Sequence, residues 1–412
     1  MFRNYLLTAW KVFLRRKLFT AINLLCIVLT LVVLMVVTAL LQNTFYPTGV
    51  EGKSERFVQM IMIESSHTGK GGQRRGTLGY KLIDQYLKPL KHAELVSAST
   101  FPQTIAVYQQ DRVSNLNLRY TDAEYWKILD FTVLQGRLFN GDDVAQGRMV
   151  AVINQSTARQ LFPGQTWLGQ KFSAGGQVFT VIGVVRDEMH VNAFSDIWVP
   201  VTAQPSSEYK SQIFGGFMAM MMARSPEEVP ALRKEIMEVA KTVQYDDPNQ
   251  FNLTRMWGDS KLALFARTLL SDQTEEGGAG TLLAGIVTLM LLFMALPALN
   301  LINLNVGRIM ERSSEIGVRK AFGATSRQLV GQLVMENVLL CLIGGAAGLV
   351  LAAGVLWWLE GSGLIPYLQV HLNLAVFGYG LLITLVFGLL SGVIPAWKMS
   401  RLAPVHALKG NA

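Results

Sequence analysis

Residues 308–327 read RIMERSSEIGVRKAFGATSR, a basic, helix-prone stretch caught between two long apolar runs. Arg308, Arg312, Arg319, Lys320 and Arg327 stand against Glu311 and Glu315. So many ionised groups exclude the stretch from a bilayer interior, and it is too short to fold as a domain. Glu315 and Arg319 are four residues apart, the spacing of a helical ion pair. Ile309, Ile316, Val318, Ala321 and Phe322 supply apolar positions on the same helix. Gly323 is placed to end it and Ser326 to cap the next. The spacing predicts a short, rigid, amphipathic helix outside the membrane; the plainer alternative is a solvated basic loop that only sets topology.

The flanking runs decide the class. Half of the 412 residues are apolar and 16% are charged, a balance shifted away from ordinary soluble domains. Residues 18–41, 281–304, 329–359 and 372–397 are each long and apolar enough to cross roughly 30 Å of hydrocarbon. Gly344 and Gly348 in the third run, and Gly388 and Gly392 in the fourth, repeat at i and i+4, where small residues let helix backbones approach. Glu336 lies near the start of the third run and reads as a structural polar contact rather than a proton relay. Residues 1–17 carry Arg3, Lys11, Arg15, Arg16 and Lys17 with apolar residues at helical spacing, which predicts an amphipathic helix in the membrane interface. The alternative is the charged start of a cleaved signal, but the apolar run that follows is long and shows no clear cleavage site.

Basic residues fix the orientation. They cluster in 1–17, in 306–328 and after 397, while the loop 360–371 contains neither Lys nor Arg. All three basic segments fall on the cytoplasmic side only with four spans and both termini inside. Residues 43–279 then lie outside. The cytoplasmic segments hold thirteen Lys and Arg against two Glu, so the net charge of +8 reflects membrane orientation and requires no nucleic-acid partner.

Residues 43–279 read as an α+β domain of two subdomains, with a break near 204–210. Residues 57–63 predict a strand, 65–79 a loop, 80–90 the start of a helix and 107–118 a strand. Residues 149–153 predict a buried strand and Asn154 a cap for a helix through Leu161. Residues 169–172 and 177–186 predict a hairpin around Ala174-Gly175-Gly176. Strands are expected at 196–201 and 217–223, and helices at 226–243 and 262–270.

Catalytic chemistry is not indicated. The run GVEGKS at 49–54 has two residues between its glycines where a phosphate-cradling Walker loop needs four. Cys26 and Cys341 sit in apolar runs, and the five histidines show no metal-ligand spacing. No metal or cofactor site is expected in this chain.

Several runs resemble one family. ERSSEIGVRKAFGAT (311–325), QLVMENVLLCLIGGAAG (332–348) and IPAWKMSRLAPVHAL (394–408) are similar to the signature segments of FtsX-like, MacB-type ABC permeases. AWKVFLRRK at 9–17 also fits. LQGRLFNGDD (134–143), AVINQSTARQLFPGQTWLGQKF (151–172) and FTVIGVVRD (179–187) resemble the MacB-type periplasmic core domain. Trp397 and His406 depart from the usual residues. The resemblance is to the stand-alone permease form and implies a non-catalytic dimer in a bacterial inner membrane. A separate ATPase would bind ATP and Mg. Arg308, Glu311, Arg312, Glu315, Ile316, Gly317, Arg319, Lys320, Phe322 and Gly323 would dock on that ATPase, and its motion would reach the periplasmic domain to drive efflux of a peptide, antibiotic or other amphipathic compound. A periplasmic adaptor and an outer-membrane channel are expected partners. The alternatives are a lipoprotein-extraction permease and a non-transporting regulator of a cell-wall hydrolase or sensor.

Overall fold

A computed structural model describes residues 13–15, 17–45, 49–109, 112–188, 190–245, 247, 249–272, 274–311, 318, 322, 325–362, 364 and 373–400. Most of the amphipathic segment expected at 1–17 lies outside the described residues. The chain divides into a β-rich unit, Asn43–Leu282, and a helical unit, Met1–Gln42 with Leu283–Ala412.

Among the described residues the β-rich unit has thirteen strands: β1 (Phe57–Met60), β2 (Met62–His67), β3 (Lys70–Thr77), β4 (Ala93–Thr100), β5 (Gln103–Gln109), β6 (Arg112–Thr121), β7 (Val133–Gly136), β8 (Val150–Asn154), β9 (Lys171–Ala174), β10 (Gln177–Val185), β11 (Ile197–Pro200), β12 (Phe217–Ala223) and β13 (Leu253–Arg255). Ten of them form one sheet along β1-β12-β4-β6-β11-β8-β10-β9-β5, with β7 on β10. Strand β5 pairs back on β6, from Gln103↔Leu118 to Gln109↔Arg112. Six strands therefore close into a ring, which leaves no edge open to stray pairing. Val107, Leu116, Ile153, Phe172, Phe179 and Ile197 fill its interior, as alternation along closed strands requires. β1, β12 and β4 continue outward from β6 as an open sheet, and β13-β2-β3 form a separate small sheet.

The junction between ring and open sheet is narrow. β4 and β6 share one register pair, Ser99↔Thr121. Buried Asp122 adds to it by accepting from Ser97 Oγ at 2.7 Å and from the Ala98 amide at 2.8 Å.

Local signals account for much of the ring. The Asn154 side chain accepts from the Thr157 amide at 2.7 Å and starts the helix Gln155–Leu161. Gly175 and Gly176 both have positive φ, 57° and 79°, which the tight β9–β10 turn demands. The run 134–143 is a structural device: Asn140 and Asp143 form a reciprocal capping box. Asp143, fully buried, also binds Arg137 at 2.5 and 3.1 Å and Arg148 at 2.9 Å.

Other segments differ from expectation. Residues 57–63 are two strands in two sheets, broken at Ile61, because Gln59 pairs with Asp259. The Gly-, Lys- and Arg-rich stretch 65–79, expected as a loop, contains β3, zipped to β2 over Met62↔Thr77 to His67↔Lys70. Residues 107–118, expected as one strand, belong to two, the end of β5 and most of β6, paired as a hairpin, and no local pattern marks β4. The helical turn Tyr80–Leu82 widens into a π-helical Ile83–Leu87.

In the helical unit the helices are Lys17–Phe45, Ala279–Glu311 (beginning within the β-rich unit), Ser326–Ser362 and Leu374–Ser400. Among the described residues Thr20–Phe45 and Val330–Ser362 have the length and composition of membrane spans, with mean hydropathy 3.2 and 2.5. Ala279–Ala295 and Leu374–Val386 are shorter apolar helical segments.

Two outcomes follow for the β-rich unit. The two arginines and the Asn140 amide hold the Asp143 carboxyl well below the usual range. A depressed pKa contributes stability above the ordinary Asp value that is lost as pH falls through the folded value. In a denaturant titration of the purified chain, Asp143→Ala is expected to lower unfolding free energy by about 2 kcal/mol at pH 7, since it removes one half of the capping box and the charge-assisted hydrogen bonds to two arginines. That difference should shrink below about pH 3. Asp122 behaves oppositely: burial pushes its pKa up to about 7, against the Ala98 and Ser97 hydrogen bonds. Its stabilising contribution is complete below the ordinary Asp value and is lost as pH rises through about 7. Wild type should therefore lose stability relative to Asp122→Asn between about pH 4 and pH 8. A difference constant over that range would contradict the assignment.

Candidate transmission site

Three groups of residues are candidates for a functional site. The first is the basic stretch 308–327. Helix Ala279–Glu311 continues without a breaker past Asn305, so Arg308 and Glu311 extend the second apolar helix and do not begin a separate one. Arg312, Glu315, Ile316, Gly317, Arg319, Lys320 and Gly323 lie outside the described residues. Phe322 is 88% exposed and Val318 is exposed with it, their backbones joined by a helical hydrogen bond of 3.1 Å. The next helix is capped by Thr325 in place of the expected Ser326. Its Oγ1 accepts from the Gln328 amide at 3.4 Å, and Gln328 Oε1 accepts from the Thr325 amide at 3.0 Å, a capping box in its Thr-x-x-Gln form.

The second group is a glycine-lined interface. A Cβ on Gly344 would lie 2.8 Å from Ile27 Cγ2, and one on Gly348 would lie 3.2 Å from Leu31 Cβ. Gly345 faces Leu381 and Gly380 faces Leu34. The glycines thus let helix Ser326–Ser362 lie against Lys17–Phe45 on one side and Leu374–Ser400 on another. Such close backbone approach is what holds helices together where lipid removes the hydrophobic difference. The surroundings of Gly388 and Gly392, both within helix Leu374–Ser400, lie outside the described residues. Buried Glu336 accepts from Gln332 Nε2 at 3.3 Å, and Asn373 Nδ2 donates to Gln42 Oε1 at 3.0 Å.

The third group lies in the β-rich unit, and sequence reasoning missed it. Glu51, in the 3-10 turn Gly49–Glu51 that follows the first helix, is fully buried and ion-paired to Lys261 Nζ, itself only 8% exposed. Lys261 opens the helix Lys261–Leu270, which Ser260 caps and which precedes the second apolar helix. Glu51 Oε1 also accepts from the Asn192 amide at 3.3 Å. The Asn192 carbonyl in turn accepts from Arg119 Nη1 at 2.8 Å and from the Tyr125 hydroxyl at 2.7 Å. Arg119 is buried in the sheet, and burial pulls its pKa down while Tyr125 and Glu51 pull it up.

A parallel tie lies beside it. Asp259 accepts from Arg267 at 2.6 and 3.0 Å, and its backbone exchanges two hydrogen bonds with Gln59 of β1. Arg267 also lies 4.5 Å over the Trp257 ring and donates to the carbonyls of Asp272 and Thr274. The segments leading from the first helix and toward the second are thus locked to each other and to the sheet. Glu51 and Lys261 are 210 residues apart, and no local pattern links them.

Replacing Gly344 or Gly348 by Leu is expected to push the first and third helices apart. A cysteine pair at Leu31 and Gly348 should then crosslink more slowly in Gly344→Leu than in the parent, and a pair at Ile27 and Gly344 more slowly in Gly348→Leu. Unchanged crosslinking would contradict the interface.

The described geometry contains no group of His, Cys, Asp and Glu fit to hold a metal ion among the described residues. A family model for the MacB-like periplasmic core domain matches residues 20–239, and one for the FtsX-like permease C-terminal region matches 287–404. The chain is 25% identical over 332 residues to the uncharacterized ABC transporter permease YknZ of Bacillus subtilis, covering 78% of this chain and 77% of that protein. It is 26% identical over 346 residues to the macrolide export ATP-binding/permease protein MacB of Escherichia coli K12, covering 79% and 49%. The chain spans about half the length of the MacB relatives it matches. Among solved structures, the periplasmic region of MacB from Actinobacillus actinomycetemcomitans aligns with a TM-score of 0.40 and 16% identity, over 55% of this chain and 97% of that one. Because the periplasmic-core model alone matches more than half of its residues, and the permease model matches most of the remainder, the chain belongs to the MacB-like, FtsX-like family of ABC transporter permeases.

Proposed function

We propose that the chain is the permease subunit of an exporter in a bacterial inner membrane. A separate ATPase binds ATP and Mg and docks on the stretch 308–327. Four spans place both termini in the cytoplasm and the β-rich unit in the periplasm. Two permease copies work together, with a periplasmic adaptor and an outer-membrane channel completing the route. The cargo is a peptide, antibiotic or other amphipathic compound; macrolide export by the MacB relatives favours this class.

The observation that carries the reading is the buried Glu51–Lys261 pair. Burying two opposite charges together is costly, and removing one leaves the other stranded at about 3–5 kcal/mol. The joint is therefore stiff. It fixes the turn Gly49–Glu51 to the helix Lys261–Leu270 inside the β-rich unit. Helix Ala279–Glu311 exposes Leu283, Val287, Leu289, Leu291 and Leu292 along its described part, apolar surface suited to lipid or to a second permease copy.

The test uses the permease and its ATPase reconstituted together in proteoliposomes. Glu315→Ala with Arg319→Ala is expected to abolish permease-stimulated ATP hydrolysis while leaving expression intact. Lys261→Met should keep that stimulation and lose most transport. Should Lys261→Met fold poorly, Glu51→Gln with Lys261→Met neutralises both partners and serves in its place. Wild-type transport by the Glu315/Arg319 double variant would count against the docking assignment, and wild-type transport by both Lys261 variants against the joint.

A further inference from the structure

Within the β-rich unit, a cavity of about 250 Å³ lies between β2–β3 and helix Lys261–Leu270. Met60, Ile61, Ile63, Trp257 and Leu264 make its walls, and Met62, 45% exposed, stands at its edge. An apolar cavity of roughly 150 Å³ takes up a benzene ring, so this one has room for a ring or a short alkyl chain. It is too small for a whole drug-sized ligand, which needs roughly 300 Å³ or more. It fits one apolar group of a larger molecule.

Charge at the rim selects the rest of that molecule. Glu64 and Asp259 both line the cavity, and both are already committed to arginines. Glu64 accepts from Arg255 Nη1 at 2.6 Å and from Arg75 Nε at 3.0 Å. Burial opposes its ionisation, but the two guanidiniums prevail and hold its pKa below the ordinary value. Asp259 is held by Arg267, with Arg233 at 4.0 Å. Asp272 adds negative charge near Arg267, so the cationic end is the other one. There Arg75 lines the cavity, and Arg255 of the neighbouring strand binds the same acid, so two guanidiniums stand against Glu64 alone. The Arg75 side chain remains 38% exposed and can turn its outer nitrogens to a second acid while Arg255 keeps Glu64 neutralised.

We propose that this cavity is a binding site for an amphipathic anion, whose apolar group enters between Ile61 and Leu264 and whose carboxylate, phosphate or sulfate pairs with Arg75. The site names a ligand class for the β-rich unit, and its test reads binding alone, so it stands or fails apart from the transport reading.

Trp257 in the wall is the reporter. The full chain in phosphatidylcholine nanodiscs is titrated with a ten-carbon carboxylic acid brominated along its chain, and with the matching alcohol. Bromine quenches indole fluorescence on contact, and Trp257→Phe gives the blank. A saturable quenching component that Trp257→Phe removes is expected. The acid should bind roughly tenfold more tightly than the alcohol, and Arg75→Gln should erase that preference, since a charge-assisted pair is replaced by a neutral contact. Quenching that rises linearly with probe and is unchanged in Trp257→Phe would overturn the site. Equal affinity for acid and alcohol would overturn its anion preference. Quenching of Trp257 by brominated bilayer lipid without added probe would assign the cavity to a membrane chain and overturn the proposal of a diffusible anion.

Discussion

The arrangement of the β-rich unit depends on Glu51 and Lys261 being buried together. A lone carboxylate or ammonium in that position would be driven neutral or exposed by its desolvation cost. Only the pair, with the Asn192 amide completing the carboxylate's hydrogen bonds, is stable there. Because Asn192 also engages Arg119 and Tyr125 through its carbonyl, the constraint extends from the chain's incoming turn into the core of the sheet. Arg267 repeats the principle further along the same helix, binding Asp259 and two loop carbonyls at once. Charged side chains, normally surface groups, serve here as rigid fasteners.

The helical unit solves a different problem. Between lipid tails, burial of Leu or Ile against another helix gains little over burial in hydrocarbon, so contact must come from shape. Gly344, Gly345, Gly348 and Gly380 provide it by removing side chains where Ile27, Leu31, Leu34 and Leu381 fit. The first, third and fourth helices are thus held closely, whereas the described part of the second exposes much of its apolar surface. That helix is continuous at one end with Arg308 and Glu311.

Local chemistry was legible in the sequence and distant pairing was not. The Asn154 cap, the Gly175-Gly176 turn and the long apolar helices each depend on neighbours in the chain, and the structure has them where the residues pointed. The stretch 65–79 misled because Gly, Lys and Arg have low strand propensity. Cross-strand pairing of Glu64 with Arg75 and stacking of Arg74 on Phe214 at 4.3 Å outweigh that propensity. Ring closure through β5–β9 and the Glu51–Lys261 joint involve partners that no periodicity connects. The motif 134–143 has a physical reason in the structure, a capping box whose Asp143 also binds two arginines.

If ATPase motion is carried through a stiff joint, the β-rich unit must change position when nucleotide binds far away on the partner. The direct measurement is the distance between spin labels at exposed Val191 on the two copies of a permease–ATPase complex in nanodiscs, with and without ATP under non-hydrolysing conditions. The account predicts a distinct nucleotide-dependent distance that collapses to the nucleotide-free distribution in Lys261→Met. An identical distribution in both nucleotide states of the wild-type complex would contradict it.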